Sequence, residues 1–131
     1  MIVDTNIYSN AAKNIEAAVE IFNANENIYL PIFVIAELEY GFIGSARAEA
    51  NKSKFNYFLS EEGVNVLYPT LKTTVAYAEL AVFAKKSGRV LANNDIWVSA
   101  LALENKMPLA TFDKDFSVFE SFLGKDLIIL E

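Results

Sequence analysis

Met1-Ile2-Val3-Asp4-Thr5-Asn6 opens the chain with an apolar run that ends in an acid and two small hydrogen-bonding side chains. Read as a strand with a polar carboxyl end, this stretch decides the fold, because open α/β sheets collect ligands at the carboxyl ends of their strands. Four further short apolar runs have the same character: Ile28 to Leu30, Val64 to Leu67, Leu109 to Ala110 and Leu127 to Leu130. With Met1 to Val3 they make five strand candidates. The longer stretches between them carry helical period, the alternation of an α/β domain built on a mostly parallel sheet.

The helical stretches have recognisable ends. Asn14 can cap a helix whose Ile15, Ala18, Val19 and Phe22 form one apolar stripe, completing a first βαβ unit. Pro31 reads as the opening turn of a helix running through Glu37 to about Phe42, loosened at its end by Gly41 and Gly44. A further helix covers Arg47 to Leu59. Thr70, after Pro69, can cap a long helix that includes Val75, Ala78 and Val82 and stops at Gly88. Asn93 or Asn94 caps another from Asp95 to about Asn105, and Pro108 ends it. No repeat, low-complexity tract or Pro/Gly/Ser-rich linker divides residues 1–131, so one domain is expected.

Composition removes whole classes of chemistry. Cysteine and histidine are both absent. Thiolate nucleophiles, Ser-His-Asp and Cys-His catalysis, disulfides and His-ligated zinc are therefore excluded, and polar catalysis must lean on carboxylates, lysine, tyrosine or hydroxyls. The apolar runs fall well short of the roughly 20 residues a membrane span needs. No basic leader precedes Ile2, so the expected location is the cytoplasm and no membrane partner is expected. A net charge of −6 argues against a broad electrostatic grip on nucleic acid, which comes from Lys and Arg neutralising phosphates.

Attention thus falls on acids. Asp4 sits at a strand end where a metal ligand belongs, with Thr5 and Asn6 placed to orient it or touch a phosphate; the alternative is a plain helix cap. Glu37 lies inside the apolar run Phe33-Val34-Ile35-Ala36-Glu37-Leu38, on one helix face with Gly41. A carboxylate there is costly unless paired or metal-bound, whereas Glu39 reads as a solvated surface residue. Asp95 falls in a first helical turn, where the helix dipole alone favours an acid. Ser99, one turn on, can bond a ligand or fill a tight helix–sheet contact. Asp113 ends the strand that Leu109 begins, and Asp115 reads as a helix cap in preference to a ligand.

Four acids at strand ends or helix termini can converge on one sheet edge. Two like charges 4 Å apart cost about 4 kcal/mol at an effective dielectric near 20, so such a cluster needs a cation. An oxygen-only donor set selects a hard ion, Mg²⁺ or Mn²⁺.

In order, Ile-Val-Asp-Thr-Asn, Ala-Glu-Leu-Glu-Tyr-Gly, Asn-Asp-Ile-Trp-Val-Ser-Ala-Leu-Ala and Ala-Thr-Phe-Asp-Lys-Asp-Phe closely resemble the motifs of PIN-domain ribonucleases, particularly VapC-type toxins of toxin–antitoxin pairs. The resemblance spans essentially the whole chain. It implies a PIN-like three-layer α/β/α fold with a five-stranded sheet, metal-dependent endoribonuclease activity on RNA, a homodimer and inhibition by a cognate antitoxin. Carried over, the acidic set is Asp4, Glu37, Asp95 and Asp113, with Thr5, Asn6, Thr111 and Asp115 as auxiliaries. Ser99 stands where the family often has alanine, and Trp97 is unusually bulky.

On this reading Asp4, Asp95 and Asp113 hold one or two ions, and Glu37 binds a metal or orients the attacking water. Phosphate contacts would come from Lys85, Lys86 and Arg89, or from Arg47, Lys52 and Lys54, although solvated helix faces explain these equally. Two other readings compete. A signalling receiver needs a phosphoacceptor aspartate ending a central strand, but Val64 to Leu67 ends in Tyr68-Pro69. A catalytically idle PIN-like module binding RNA or protein would keep the fold without the activity.

Overall fold

A computed structural model covering residues 1–131 contains five strands: β1 (Ile2–Val3), β2 (Ile28–Pro31), β3 (Val64–Leu67), β4 (Leu109–Thr111) and β5 (Leu127–Ile129). They form one sheet of order β3-β2-β1-β4-β5, and every pairing is parallel. Ile2 lies opposite both Tyr29 of β2 and Leu109 of β4, so β1 is the middle strand. Successive residues of a strand point to opposite faces, yet Ile2, Val3, Leu109, Ala110 and Thr111 are all fully buried. Both faces of the sheet are therefore covered, as all-parallel sheets require, and the layers are α/β/α.

The covering helices are α1 (Thr5–Ala12), α2 (Glu16–Ala24), α3 (Ile32–Ile43), α4 (Ala48–Leu59), α5 (Leu71–Lys86), α6 (Asn93–Asn105) and the short α7 (Glu120–Leu123). Tight 3₁₀ turns at Lys114–Phe119 and Gly124–Asp126 lead into α7 and β5. From β1 the chain winds outward through β2 to β3, and α5 and α6 then carry it back to β4 on the other side of β1. The connections leaving β1 and β4 diverge, which opens a crevice at their carboxyl ends. A contiguous cluster of 21 buried apolar residues, including Leu30, Val34, Leu80, Leu101 and Phe116, fixes the helices against the sheet.

Several helix ends differ from the sequence reading. An extra helix, α1, directly follows β1. Asn14 is not a cap: it takes φ of 62° in the turn between α1 and α2, a conformation that asparagine tolerates better than most residues. Ile15 occupies the cap position of α2 and contributes no side-chain bond. Ala92, not Asn93 or Asn94, is the cap residue of α6, again without a side-chain bond. Pro31 closes β2 and stands just before α3. The Thr70 cap is present, reinforced by Thr73 in a reciprocal capping box.

On α5 the buried positions are Thr73, Ala76, Leu80 and Ala84. Val75 and Val82 face outward at 60% and 52% exposure, beside Leu71 at 86%.

Candidate metal centre

Asp4 leaves β1 at the crevice and begins α1, where its Oδ1 accepts the Thr5 N–H at 2.8 Å. It is thus both the cap that the bland reading foresaw and an acid at the strand end. Its other oxygen, Oδ2, accepts Thr111 Oγ1 at 2.7 Å and Asn6 Nδ2 at 3.2 Å. Asn6 in turn accepts the Phe112 N–H at 3.0 Å, and Thr111 Oγ1 accepts the Asp113 N–H at 3.0 Å. Thr5, Asn6 and Thr111 therefore orient the acids. Only 5% of Asp4 is exposed. Burial pushes its carboxyl above the usual range, and the charge of Asp113 adds to the rise, against the lowering effect of the three donors.

Glu37 reaches the same crevice from α3, with Thr5 Oγ1 donating to its Oε1 at 3.2 Å. Burial raises its pKa first, then the charge of Asp4, while Thr5 and the Asn94 side chain pull the other way. Asn94 is a contact the sequence reading missed, since it considered that residue only as a helix cap; its place beside Asp95 was the available signal.

Asp95 occupies the first turn of α6, half buried. Desolvation, then the charges of Asp4, Asp113, Glu37 and Asp115, push its pKa up to about 7, and no hydrogen bond opposes them. The four predicted acids therefore act on one another, and Asp95 is the member without a protein donor.

The cap of the turn after β4 falls to Asp113 and not to Asp115. Asp113 Oδ1 accepts the Asp115 N–H at 2.9 Å and caps the 3₁₀ turn that follows. Asp115 is no cap; it extends toward Arg89, 3.5 Å away. Glu39 is also not simply solvated: it pairs with Lys52, and its Oε1 is buried without a partner. Ser99 is fully buried and donates to the Asp95 carbonyl at 2.8 Å, so it fills the helix–sheet contact.

The basic residues disperse. Arg89 borders the acidic set through Asp115. Lys85 and Lys86 end α5, and Lys86 lines a different cavity with Val82 and Phe122. Arg47 shares a cavity of about 310 Å³ with Lys13 and Lys54, and Lys52 is held by Glu39.

The donor set suits a hard divalent cation: oxygens only, mutually repelling, with Asp95 lacking any other counter-charge. As placed, no three of these carboxylates lie close enough together to grip one ion at once. Asp4 and Asp113 are held by hydrogen bonds to their neighbours, which leaves the Asp95 side chain as the one free to adjust.

The PIN domain family model matches residues 1–120. Ribonuclease VapC1 of Haemophilus influenzae is 34% identical over 119 residues, 87% of each chain. Ribonuclease VapC2 of Rickettsia felis is 32% identical over 92 residues, 70% of this chain and 67% of that protein. Among solved structures, VapBC2 from Rickettsia felis bound to a promoter DNA fragment superposes with a TM-score of 0.81 at 26% identity, covering 98% of this chain and 96% of that one. VapBC-1 from nontypeable Haemophilus influenzae gives 0.78 at 29% identity, covering 92% of each.

Proposed function

The chain belongs to the PIN domain family, and from that premise we propose that it is a ribonuclease of the VapC type, the toxin of a toxin–antitoxin pair, cutting RNA at the crevice formed by Asp4, Glu37, Asp95 and Asp113. The observation that carries the proposal is the linked hydrogen-bond set of Thr5, Asn6 and Thr111 that brings Asp4, Glu37 and Asp113 to one crevice, beside an Asp95 carboxylate with no donor of its own. A purely structural cluster would supply such a carboxylate with donors, as it does for Asp4.

Asp4, Asp95 and Asp113 would hold Mg²⁺ or Mn²⁺. Such an ion, when bound, lowers the pKa of water and neutralises charge on the phosphate. Glu37, fixed by Thr5, orients the attacking water. Thr111 and Asn6 hold Asp4 in register with Asp113, and Asp115 keeps the Arg89 guanidinium at the rim, where it meets the RNA backbone. The partners are an RNA substrate, a cognate antitoxin and a second copy of the chain. No helix is long and apolar enough to cross a membrane; the proposed place of action is the cytoplasm.

The absence of three acids within reach of one ion favours a second reading, the catalytically idle RNA- or protein-binding module. Asp4→Asn separates the two, because the amide keeps the shape and removes the charge. RNA cleavage in Mg²⁺ or Mn²⁺ should be present in wild type and in the exposed control Glu20→Gln, and lost in Asp4→Asn. Equal activity in all three, from preparations free of contaminating nuclease, would overturn the assigned site; no activity in wild type would leave the idle module.

A further inference from the structure

Trp97 is the chain's single tryptophan, and it lies two residues beyond Asp95 on α6. Its indole stacks on Phe33 of α3, centroids 5.2 Å apart with planes at 12°, and packs on Tyr77 of α5 at 4.3 Å and 32°. Phe33 and Tyr77 belong to helices that the indole alone joins through aromatic contact.

This bridge sits beside the acidic crevice. Phe33 is one helical turn before Glu37, and Asn94, the neighbour of Glu37, is one turn before Trp97. Tyr77 also donates its hydroxyl to Asn93 Oδ1 at 3.2 Å. The turn that carries Asp95 thus faces α3 through Asn94 and Trp97, and α5 through Asn93 and Trp97. A cap would ordinarily anchor such a turn, but Ala92 supplies none.

We propose that Trp97 is a positioning residue: by bridging Phe33 and Tyr77 it sets the separation between Asp95 and Glu37. The proposal rests on the site reading given above. The Asp95 carboxylate accepts no hydrogen bond from the protein, so its place is only as well defined as the turn beneath it, which lacks a side-chain cap. Groups that support metal ligands from behind commonly change metal affinity or activity by about 10- to 100-fold when removed.

The test compares Trp97→Leu, Trp97→Phe and, as a destabilised control on another helix, Phe55→Leu at the fully buried aromatic residue of α4. Hydrogen exchange in chelator reports on residues 92–96 without any metal. It should speed up in Trp97→Leu, return toward wild type in Trp97→Phe, and stay at wild-type rates in Phe55→Leu even where the melting temperatures match. Mn²⁺ affinity, read by electron paramagnetic resonance, should weaken about tenfold in Trp97→Leu. RNA cleavage should lose about tenfold in kcat with KM little changed, and Trp97→Phe should rescue both. Should Trp97→Leu not fold, Tyr77→Leu, which cuts one side of the bridge, replaces it. Exchange at 92–96 unchanged in the Trp97 variant, or equally fast in Phe55→Leu, would overturn the proposal. A wild type that binds no Mn²⁺ would refute the metal reading of the site, and the exchange measurement would still decide the bridge.

Discussion

Thr111 Oγ1 donates to Asp4 Oδ2 at 2.7 Å, joining residues 107 apart in the chain at the carboxyl ends of two adjacent strands. The same hydroxyl oxygen accepts the Asp113 N–H, so one side chain ties two of the four acids together. Thr111→Val keeps the shape and removes the hydroxyl. Asp4 loses a buried donor and the Asp113 N–H loses its acceptor, which costs about 1–3 kcal/mol of stability. RNA cleavage should fall by about 10- to 100-fold. Urea unfolding together with a cleavage assay checks both; a variant with wild-type values in each would show that the hydroxyl orients nothing.

Asp95 gives a pH dependence whose sign can be worked out. Its folded-state pKa is about 7 against an ordinary 3.8, so between those values the folded protein keeps a proton that the unfolded chain releases. In chelator, stability should therefore decline as pH rises from about 4 to about 7. Asp95→Asn should flatten that decline and raise the melting temperature at neutral pH. Were Asp95 only a favourable charge at a helix N-terminus, the same substitution would lower stability by about 0.3–1 kcal/mol. Melts across that pH range distinguish a rise from a fall.

Metal should reverse the penalty. At about 100 times its dissociation constant, Mg²⁺ or Mn²⁺ should stabilise wild type by about 2.7 kcal/mol, and Asp4→Asn and Asp113→Asn should lose most of that gain. Thermal melts with and without the ion suffice. A wild type indifferent to metal would remove the case for a shared cation.

Association is expected from the outer face of α5, where Leu71, Val75 and Val82 align as an apolar stripe in water. Light scattering at tens of micromolar should return a dimer mass, and Val82→Asp should shift it toward the monomer. A wild-type monomer at that concentration would count against the homodimer.

Much of this arrangement is legible in the residues. The five strands lie within a residue or two of where apolar runs and Pro108 place them, because buried parallel strands need continuous apolar sequence. All four acids are picked out by local context: Asp4 and Asp113 follow strands, Asp95 opens a helical turn, and Glu37 interrupts an apolar helical run. What escapes detection is set by tertiary contacts. The α1 helix hides because Tyr8-Ser9-Asn10 breaks the apolar period and Ile7 is its one buried residue. The Asn14 and Asn93 caps fail because asparagine suits a left-handed turn or a contact with Tyr77 as well as it suits a cap. Asp113 and Asp115 both fit a turn by composition, and only the position of Arg89 separates them. Glu39 looks solvated until α4 brings Lys52 to it.

The order of strands also governs when the acidic crevice becomes complete. Asp4 precedes its donor Thr111 by 107 residues, so Thr111 and Asp113 leave the ribosome well after it. With translation adding about 5–20 residues per second, about 5–20 seconds separate the synthesis of Asp4 from that of Thr111. A chain truncated before β4 lacks Thr111 and Asp113 and cannot assemble the crevice. The crevice is therefore assembled only once β4 has paired with β1.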